Sequence, residues 1–393
     1  MSNVRTSSLP SCQGWIEQFS PEDKLMAKKI IDELIYIETS SVIDDLVGEI
    51  KNILKKEGKV SIIPVREVLK SESSYYDLDD PQLNPTMNIS VQPLGSEAII
   101  SNLITRLRRG YGKSVVLEFD KITKSNKSPS INYMRKEKVK ALILVDDVIG
   151  SGKRTVDFFN FLYKNKTIKS WISRGYLNVY VVCYMATSNG LKFVDRNIKK
   201  GLVKVISINQ CPTFYDSEYH DEIATLCERY ADVKEQEPLG FRGSFAKVIF
   251  EHSAPNNIPT ILYKNIDDYK ANGLGLLKDS KNWIALFPNR FVSPSFVRDM
   301  AVSRSGASMQ SDLAQLLHVM TSLKKSNIES LVRLTKIQKV KLKHYLRVCH
   351  NLGILNVNDS VVKTTSSSKY ELRSLIKDKK HIDTNKDFYY PKK

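Results

Sequence analysis

The stretch that decides the fold is Ala141–Phe159, ALILVDDVIGSGKRTVDFF. An apolar run, 141–145, leads into two adjacent aspartates, Asp146 and Asp147, and then into a loop with two glycines. The residues that follow carry apolar side chains at helical spacing, so the stretch predicts a buried strand, a loop and a helix. A glycine loop at a helix N-terminus offers free amides and a partial positive charge to an anion. The sequence therefore predicts a phosphate site directly beside two carboxylates.

The candidate phosphate-binding residues are Gly150, Ser151, Gly152, Lys153, Arg154 and Thr155. A nucleotide-binding P-loop of the form G-x-x-x-x-G-K-[ST] is excluded, because Asp147 and Arg154 stand where that pattern needs glycine and a hydroxyl residue. Two carboxylates would also repel a triphosphate. Ionised carboxylates accept hydrogen bonds, and hydroxyls donate them, so the pattern fits a sugar beside a phosphate. A ribose 5-phosphate group has this layout.

Strand-like and helix-like stretches alternate around this motif. We predict strands at 59–65, 114–119, 141–145, 178–185 and 203–208, and helices at 15–56 (two), 95–107, 155–163 and 190–199. Such alternation is typical of an α/β fold with a parallel sheet and flanking helices. The lysine-rich residues 120–139 are expected to form a loop. Ligands of such sheets bind beyond the carboxyl ends of the strands, which is where the motif lies.

The string LILVDDVIGSGKRT resembles the phosphoribosyl pyrophosphate (PRPP) motif of type I phosphoribosyltransferases, and the flanking elements fit that fold over 59–210. Three further segments, 93–98 (PLGSEA), 254–259 (APNNIP) and 283–290 (WIALFPNR), are similar to phosphoribosyltransferase-like domains of prokaryotic conflict systems. Some members of that branch are effectors of retron antiphage systems. With these segments the resemblance covers residues 10–290.

The resemblance implies roles for several residues. Asp146 and Asp147 would hold the ribose hydroxyls, with magnesium bridging from them to pyrophosphate. Residues 150–155 would bind the 5-phosphate, and Gly95 and Ser96 the pyrophosphate that leaves when the anomeric carbon is attacked. Two positions depart from the family: many base-transferring members have a carboxylate or threonine where Gly150 stands, and a hydroxyl residue where Arg154 stands. The acceptor, and whether PRPP itself is the ligand, therefore stay open.

Charge points to a second function. The 393 residues include 60 basic and 43 acidic side chains, a net charge of +17, which attracts polyanions such as nucleic acid. Residues 311–393 alone hold 17 basic and 7 acidic residues, a net charge of +10. No apolar run approaches the length of a membrane span. The five scattered cysteines fit reduced thiols, so we expect a soluble, cytoplasmic protein that does not bind membranes.

The basic C-terminal part predicts a small winged helix-turn-helix domain. Helices are expected at 311–324, 327–334 and 335–352, with Thr335 as the N-cap of the third, and short strands at 354–357 and 361–365. The third helix divides into an apolar face and a cationic one, which carries the candidate nucleic-acid-binding residues Lys336, Lys339, Lys343 and Arg347. A recognition helix in a DNA groove needs this division.

These features predict four parts: N-terminal helices (1–58) packing on the core, a phosphoribosyltransferase-like domain (59–290), a linker (291–310) and the winged helix (311–380). Our leading hypothesis is a ribosyltransferase-like, toxin-like effector of antiviral defence that binds DNA. In a retron its partners would be a reverse transcriptase and a single-stranded DNA–RNA hybrid. The alternatives are a non-enzymatic, nucleotide-sensing transcriptional regulator and an ordinary salvage enzyme, which would not need the C-terminal domain.

Overall fold

The computed structural model describes residues 5–77, 79–81, 83–86, 96–120, 125–267, 282–305, 309–351, 353–358 and 360–365. The chain divides into two compact units. Unit 1 comprises residues 1–37, 212–239 and 247–393, and unit 2 comprises residues 38–211 and 240–246. These units do not follow the boundaries predicted after residues 58 and 290.

The described helices and strands are numbered in chain order. The helices are α1 Pro10–Ile16, α2 Lys24–Glu33, α3 Thr39–Glu57, α4 Ser96–Tyr111, α5 Ile131–Glu137, α6 Lys153–Tyr163, α7 Lys166–Ser173, α8 Ser188–Asn197, α9 His220–Arg229, α10 Pro294–Ser305, α11 Met309–Leu323, α12 Ile328–Thr335 and α13 Lys339–Asn351. The strands are β1 Ile35–Ile37, β2 Val60–Pro64, β3 Glu118–Asp120, β4 Ser125–Lys127, β5 Ala141–Ile149, β6 Asn178–Ala186, β7 Lys204–Gln210, β8 Val248–Phe250, β9 Lys325–Asn327, β10 Leu355–Asn358 and β11 Val361–Thr364.

Unit 2 is built on a parallel four-stranded sheet with the strand order β2-β5-β6-β7. All nine residues of β5 are buried, as expected for a central strand of a parallel sheet whose two faces are covered by helices. Its core joins Leu142 and Leu144 to Phe158, Phe159 and Leu162 of α6. The predicted strand–loop–helix unit is confirmed, but the strand is longer than expected and includes both aspartates.

Two predictions in unit 2 are wrong. In place of a strand at 114–119, Val115 makes a single parallel bridge to Val60, and the chain then forms the antiparallel β3–β4 hairpin. Residues 120–139, predicted to be a loop, contain β4 and the helix α5. The Ser130 side chain caps α5 by accepting a hydrogen bond from the Tyr133 amide, as N-cap serines do. The many lysines concealed the apolar face of this short helix.

Unit 1 joins distant parts of the chain. Its strands β1 and β8 pair in parallel, although more than 200 residues separate them. Trp15 and Trp283 both donate an indole hydrogen bond to the Ile261 carbonyl, over 3.1 and 3.0 Å. Residues 260–262, which follow the APNNIP segment, form a 3₁₀ helix.

The predicted linker at 291–310 contains the helix α10. Its serines suggested an irregular segment, but Phe296 and Met300, at helical spacing, are buried. In unit 1, Phe296 packs edge-on against Tyr36 and Phe287.

The C-terminal segment, residues 309–365, has the order α11-β9-α12-α13-β10-β11, with an antiparallel sheet β10-β11-β9. The predicted start of the third helix is wrong. Thr335 is the last residue of α12, and its hydroxyl donates back to the Leu331 carbonyl over 2.6 Å; the helix ends because Lys336 adopts a left-handed conformation with φ 56°. Consequently α13 begins at Lys339, and Lys336 lies in the turn before it. No helix in the described part of the chain is long and apolar enough to span a bilayer.

Candidate ligand site at the end of strand β5

Asp146 and Asp147 lie near the carboxyl end of β5, where the sheet leads into the ligand loop, residues 150–155. Asp146 is 1% exposed and Asp147 is 7% exposed. Each carboxylate accepts a hydrogen bond from the next amide: Asp147 N donates to Asp146 Oδ1 over 3.0 Å, and Val148 N donates to Asp147 Oδ1 over 2.8 Å. Both acids are therefore held by the strand itself.

Arg154, in the first turn of α6, reaches back to these carboxylates. Its Nη2 donates to both oxygens of Asp146, over 2.7 and 2.9 Å, and lies 3.6 Å from Asp147 Oδ1. The Arg154 side chain remains 38% exposed, whereas that of Asp146 is 1% exposed. The guanidinium therefore binds a buried acid, while part of the Arg154 side chain stays accessible to solvent.

Burial and charge act in opposite directions on Asp146. Burial has the largest effect and raises the pKa of this carboxyl to about 8; Arg154 opposes the rise, and Asp147 adds to it. Loss of solvation disfavours the charged form of an acid, and a nearby cation favours it. Asp146 in turn raises the pKa of Arg154, which stays charged.

The ligand loop packs tightly against α8. Gly152 has φ +78°, and a Cβ added there would lie 2.5 Å from the Gly190 carbonyl oxygen; a Cβ on Gly190 would lie 2.3 Å from that of Gly150. Side chains at 152 or 190 would therefore separate the loop from the helix. Close packing alone is a sufficient reason for these two glycines.

The loop nonetheless presents free donors. Among the hydrogen bonds of the described residues, the amides of Ser151, Gly152, Arg154 and Thr155 have no acceptor. The first amides of a helix lack intrahelical partners, and they lie at the positive end of its dipole. An anion in front of α6 would satisfy them.

The other predicted site residues contribute unequally. Lys153 forms an ion pair with Asp157 on the next turn of α6, and Thr155 is buried. Ser151 Oγ is 3.4 Å from the Lys153 amide. Ser96 is the first residue of α4, and Gly95 lies outside the described residues. The structure thus brings the acids and the loop together, and of the predicted pyrophosphate residues it places only the backbone of Ser96.

Sequence reasoning missed two residues beside the loop. Thr187, after β6, donates from Oγ1 to the Gly150 carbonyl over 2.5 Å and accepts from the Gly190 amide over 2.8 Å. Glu67, after β2, is close enough to influence Arg154 electrostatically. The signal was available, because both residues follow strands of the same sheet and therefore lie at its carboxyl edge.

Asp146 is poorly placed to bind a magnesium ion directly. Within the described residues, no group of three or more histidine, cysteine or acidic side chains is placed to hold a metal, and Asp146 already uses its carboxylate on Arg154. Magnesium generally binds through one or two carboxylates together with the phosphates of a substrate.

A cavity of about 340 Å³ lies elsewhere, in unit 1. It is lined by Ala231, Asp232, Lys234, Glu235, Thr260, Ile261, Lys264, Asn265, Ile266 and Asp267. None of these residues belongs to the motif that the sequence singled out. Acids and lysines alternate around it, and Glu235 pairs with Lys264.

The four candidate nucleic-acid-binding residues are only partly brought together. Lys339, Lys343 and Arg347 follow one another along α13, whereas Lys336 precedes it. Lys339 pairs with Glu329 of α12 over 2.5 Å. The exposed face of α13 also presents Val340, which is 82% exposed. Leu342, Leu346 and Cys349 are buried on the other side, as predicted.

The sheet, the strand β5 and its loop define a phosphoribosyltransferase-like α/β domain. The chain belongs to the PRTase-CE family, whose sequence model matches residues 12–289. None of the curated proteins compared with the chain matches it.

Proposed function

We propose that unit 2 binds a phosphorylated ribose ligand in front of β5 and α6, and that this binding serves a phosphoribosyltransferase-like reaction or its regulation. The observation that carries the proposal is the row of amides without acceptors in the ligand loop, next to two acids. The 5-phosphate would accept hydrogen bonds from the amides of Ser151, Gly152, Arg154 and Thr155 and from the Arg154 guanidinium.

Within this proposal the two acids have different roles. Asp147 is the more exposed of the two, so it would accept hydrogen bonds from the ribose hydroxyls. Asp146 would orient Arg154 towards the phosphate, because a fixed guanidinium loses less freedom on binding. Gly95 and Ser96 would bind pyrophosphate, and magnesium would arrive with the phosphates of the ligand. PRPP is one candidate and a nucleotide another.

The C-terminal segment would be a winged helix-turn-helix that binds nucleic acid. Its order, helix, strand, two helices and a two-stranded wing, supports this assignment, as does its charge. Lys343 and Arg347 would contact phosphates along α13, with Lys339 and Lys336 at its beginning. Phosphate contacts of this kind set affinity and position rather than sequence preference.

The whole chain would then be an effector of antiviral defence. Support comes from the resemblance to conflict-system domains and from the pairing of a ribosyl site with a nucleic-acid-binding segment in one chain. If the system is a retron, the partners are a reverse transcriptase and its single-stranded DNA–RNA product. Co-purification of full-length protein with nucleic acid, followed by nuclease digestion of the bound material, identifies which polymer it carries.

One observation favours the alternative, a non-enzymatic regulator that senses a nucleotide. Arg154 stands where base-transferring relatives have a hydroxyl residue, and it already occupies Asp146. The double variant Asp146→Ala/Asp147→Ala separates the two functions. An effector enzyme loses turnover or toxicity, whereas a regulator retains DNA binding and loses only its response to the ligand.

A further inference from the structure

Unit 2 has a strongly basic surface at the amino ends of its parallel strands, opposite the ends that lead into the ligand loop. Five segments lead into β2, the Val115 bridge, β5, β6 and β7, and they meet at this edge because the strands are parallel. They are residues 55–59, 112–114, 136–140, 174–177 and 198–204, and together they hold eleven basic and two acidic residues. We call this surface the basic edge.

Contacts show that the segments are neighbours. The Lys140 amide donates to the Lys59 carbonyl, and the Asn178 amide donates to the Lys140 carbonyl, each over 2.9 Å. Lys204 lies over the Tyr180 ring, 5.3 Å from its centre. Four strands at a spacing of about 4.8 Å place Lys59 and Lys204 roughly 14 Å apart. The basic edge is therefore a continuous track and not a set of scattered lysines.

The two acids of the basic edge are already engaged. Glu137 pairs with Lys59 over 2.8 Å, and Glu57 accepts hydrogen bonds from Asn178 and from the Tyr180 hydroxyl. Lysines in the last turn of a helix are favoured by the helix dipole, which accounts for Lys55, Lys56 and Lys136. It does not account for the lysines in the turns and at the strand starts.

An exposed aromatic ring lies within this track. Tyr176, just before β6, is 60% exposed. The other exposed large apolar side chain described in unit 2 is Leu69, which follows β2 and so lies towards the opposite edge. A membrane-binding surface needs several apolar side chains beside its cations. Proteins that bind single-stranded nucleic acid combine a basic track for the backbone with aromatic side chains that stack on bases, and Tyr176 supplies one such ring.

We propose that the basic edge binds the backbone of a single-stranded nucleic acid, with one base stacked on Tyr176. This site is on unit 2 and shares no residue with the C-terminal segment or with the ligand loop. Lys140, Lys199 and Lys200 are exposed, and no ion pair or side-chain hydrogen bond of theirs is found among the described contacts, so each is available to a phosphate.

The test uses the full chain in a Lys343→Ala/Arg347→Ala background, which removes the main contacts expected from α13. The edge variant adds Lys140→Ala, Lys199→Ala and Lys200→Ala; the matched control instead adds Lys51→Ala, Lys70→Ala and Lys192→Ala, exposed lysines outside the five segments. Binding of a labelled 20-nucleotide single-stranded DNA is followed by anisotropy at several salt concentrations. The slope of log K against log salt should fall by about 2 in the edge variant, since each lost contact removes about 0.7, and stay unchanged in the control.

Two further measurements decide the class of partner. Tyr176→Ala should weaken binding at least about fivefold while Tyr176→Phe leaves it unchanged, because stacking needs only the ring. Equal losses in the edge variant and its control overturn the proposal. It is also overturned if the edge lysines govern binding to anionic phospholipid vesicles but not to the oligonucleotide, since the surface would then be a membrane contact.

Discussion

Arg154 Nη2 lies 2.7 and 2.9 Å from the two carboxylate oxygens of Asp146, so the ligand loop is tied back to the strand that precedes it. This ion pair links the phosphate half of the motif to its acidic half. It also makes Asp146 a partner of the protein's own cation, which leaves Asp147 as the acid nearer to solvent.

Removing the Arg154 side chain should destabilise the fold. Arg154→Ala leaves the buried Asp146 carboxyl without its hydrogen-bond donor, and a buried polar group that loses its partner costs about 1–3 kcal/mol. Urea unfolding measures the loss. Lys153→Ala, the adjacent control, removes an exposed ion pair and should change stability by less than about 0.5 kcal/mol. Equal effects of the two substitutions would show that the Arg154 pair contributes no more than a surface one.

Asp146 should make stability depend on pH. Its pKa is about 8 in the folded chain against an ordinary 3.8, so between these values the folded state holds a proton that the unfolded state has lost. The contribution of Asp146 to stability is therefore full below about pH 4 and falls as pH rises to about 8. Unfolding free energies of wild type and Asp146→Asn are measured from pH 5 to 8. As the pH rises, wild type should lose stability relative to Asp146→Asn, which cannot titrate at this position. A constant difference would mean that Arg154 keeps Asp146 ionised throughout.

Gly190 should not tolerate a methyl group. Gly190→Ala places its Cβ against the Gly150 carbonyl oxygen, and such overpacking costs about 1–3 kcal/mol. The control is Gly48→Ala, at an exposed position inside α3 with open space around it, which should raise stability by about 0.5–1 kcal/mol. If Gly190→Ala also stabilises the protein, the close approach of α8 to the loop is absent in solution.

Duplex DNA binding should depend on the basic side chains along α13. Lys343→Ala and Arg347→Ala should each reduce the magnitude of the salt slope by about 0.9. Glu329→Gln should strengthen binding, because it frees Lys339 from its ion pair. Filter binding at several salt concentrations reports all three slopes. Unchanged slopes for Lys343→Ala and Arg347→Ala would assign the C-terminal segment to protein contacts instead.

The central sheet could be predicted from the sequence because its strands are apolar and β-branched runs bounded by polar turns. Residues 141–145 and 178–185 are of this kind. The helix α5 was hidden because its lysines dominate the composition while only Ile131 and Met134 are buried. Thr335 was ambiguous, since a threonine hydroxyl can cap a following helix or, as here, bond back to the preceding one.

The residues of the site could be predicted from the sequence, but the contact between Arg154 and Asp146 could not. The two acids and the glycine loop are contiguous in sequence, so their proximity follows from the strand–loop–helix pattern. The return of Arg154 to Asp146 depends on a side-chain conformation that no local pattern specifies. The division into two units depends on the pairing of β1 with β8, a contact between distant segments that periodicity does not reveal.

The central claim is that the ligand loop binds a phosphorylated ribose, and calorimetric titration of the full chain with ribose 5-phosphate, PRPP and orthophosphate tests it most directly. We expect both sugar phosphates to bind, and Asp147→Asn to weaken them about tenfold while leaving orthophosphate unaffected, because only the hydroxyl contacts are lost. If no phosphorylated sugar binds at millimolar concentration, or if Asp147→Asn weakens orthophosphate equally, the acids and the loop do not form a single site for a phosphorylated ribose.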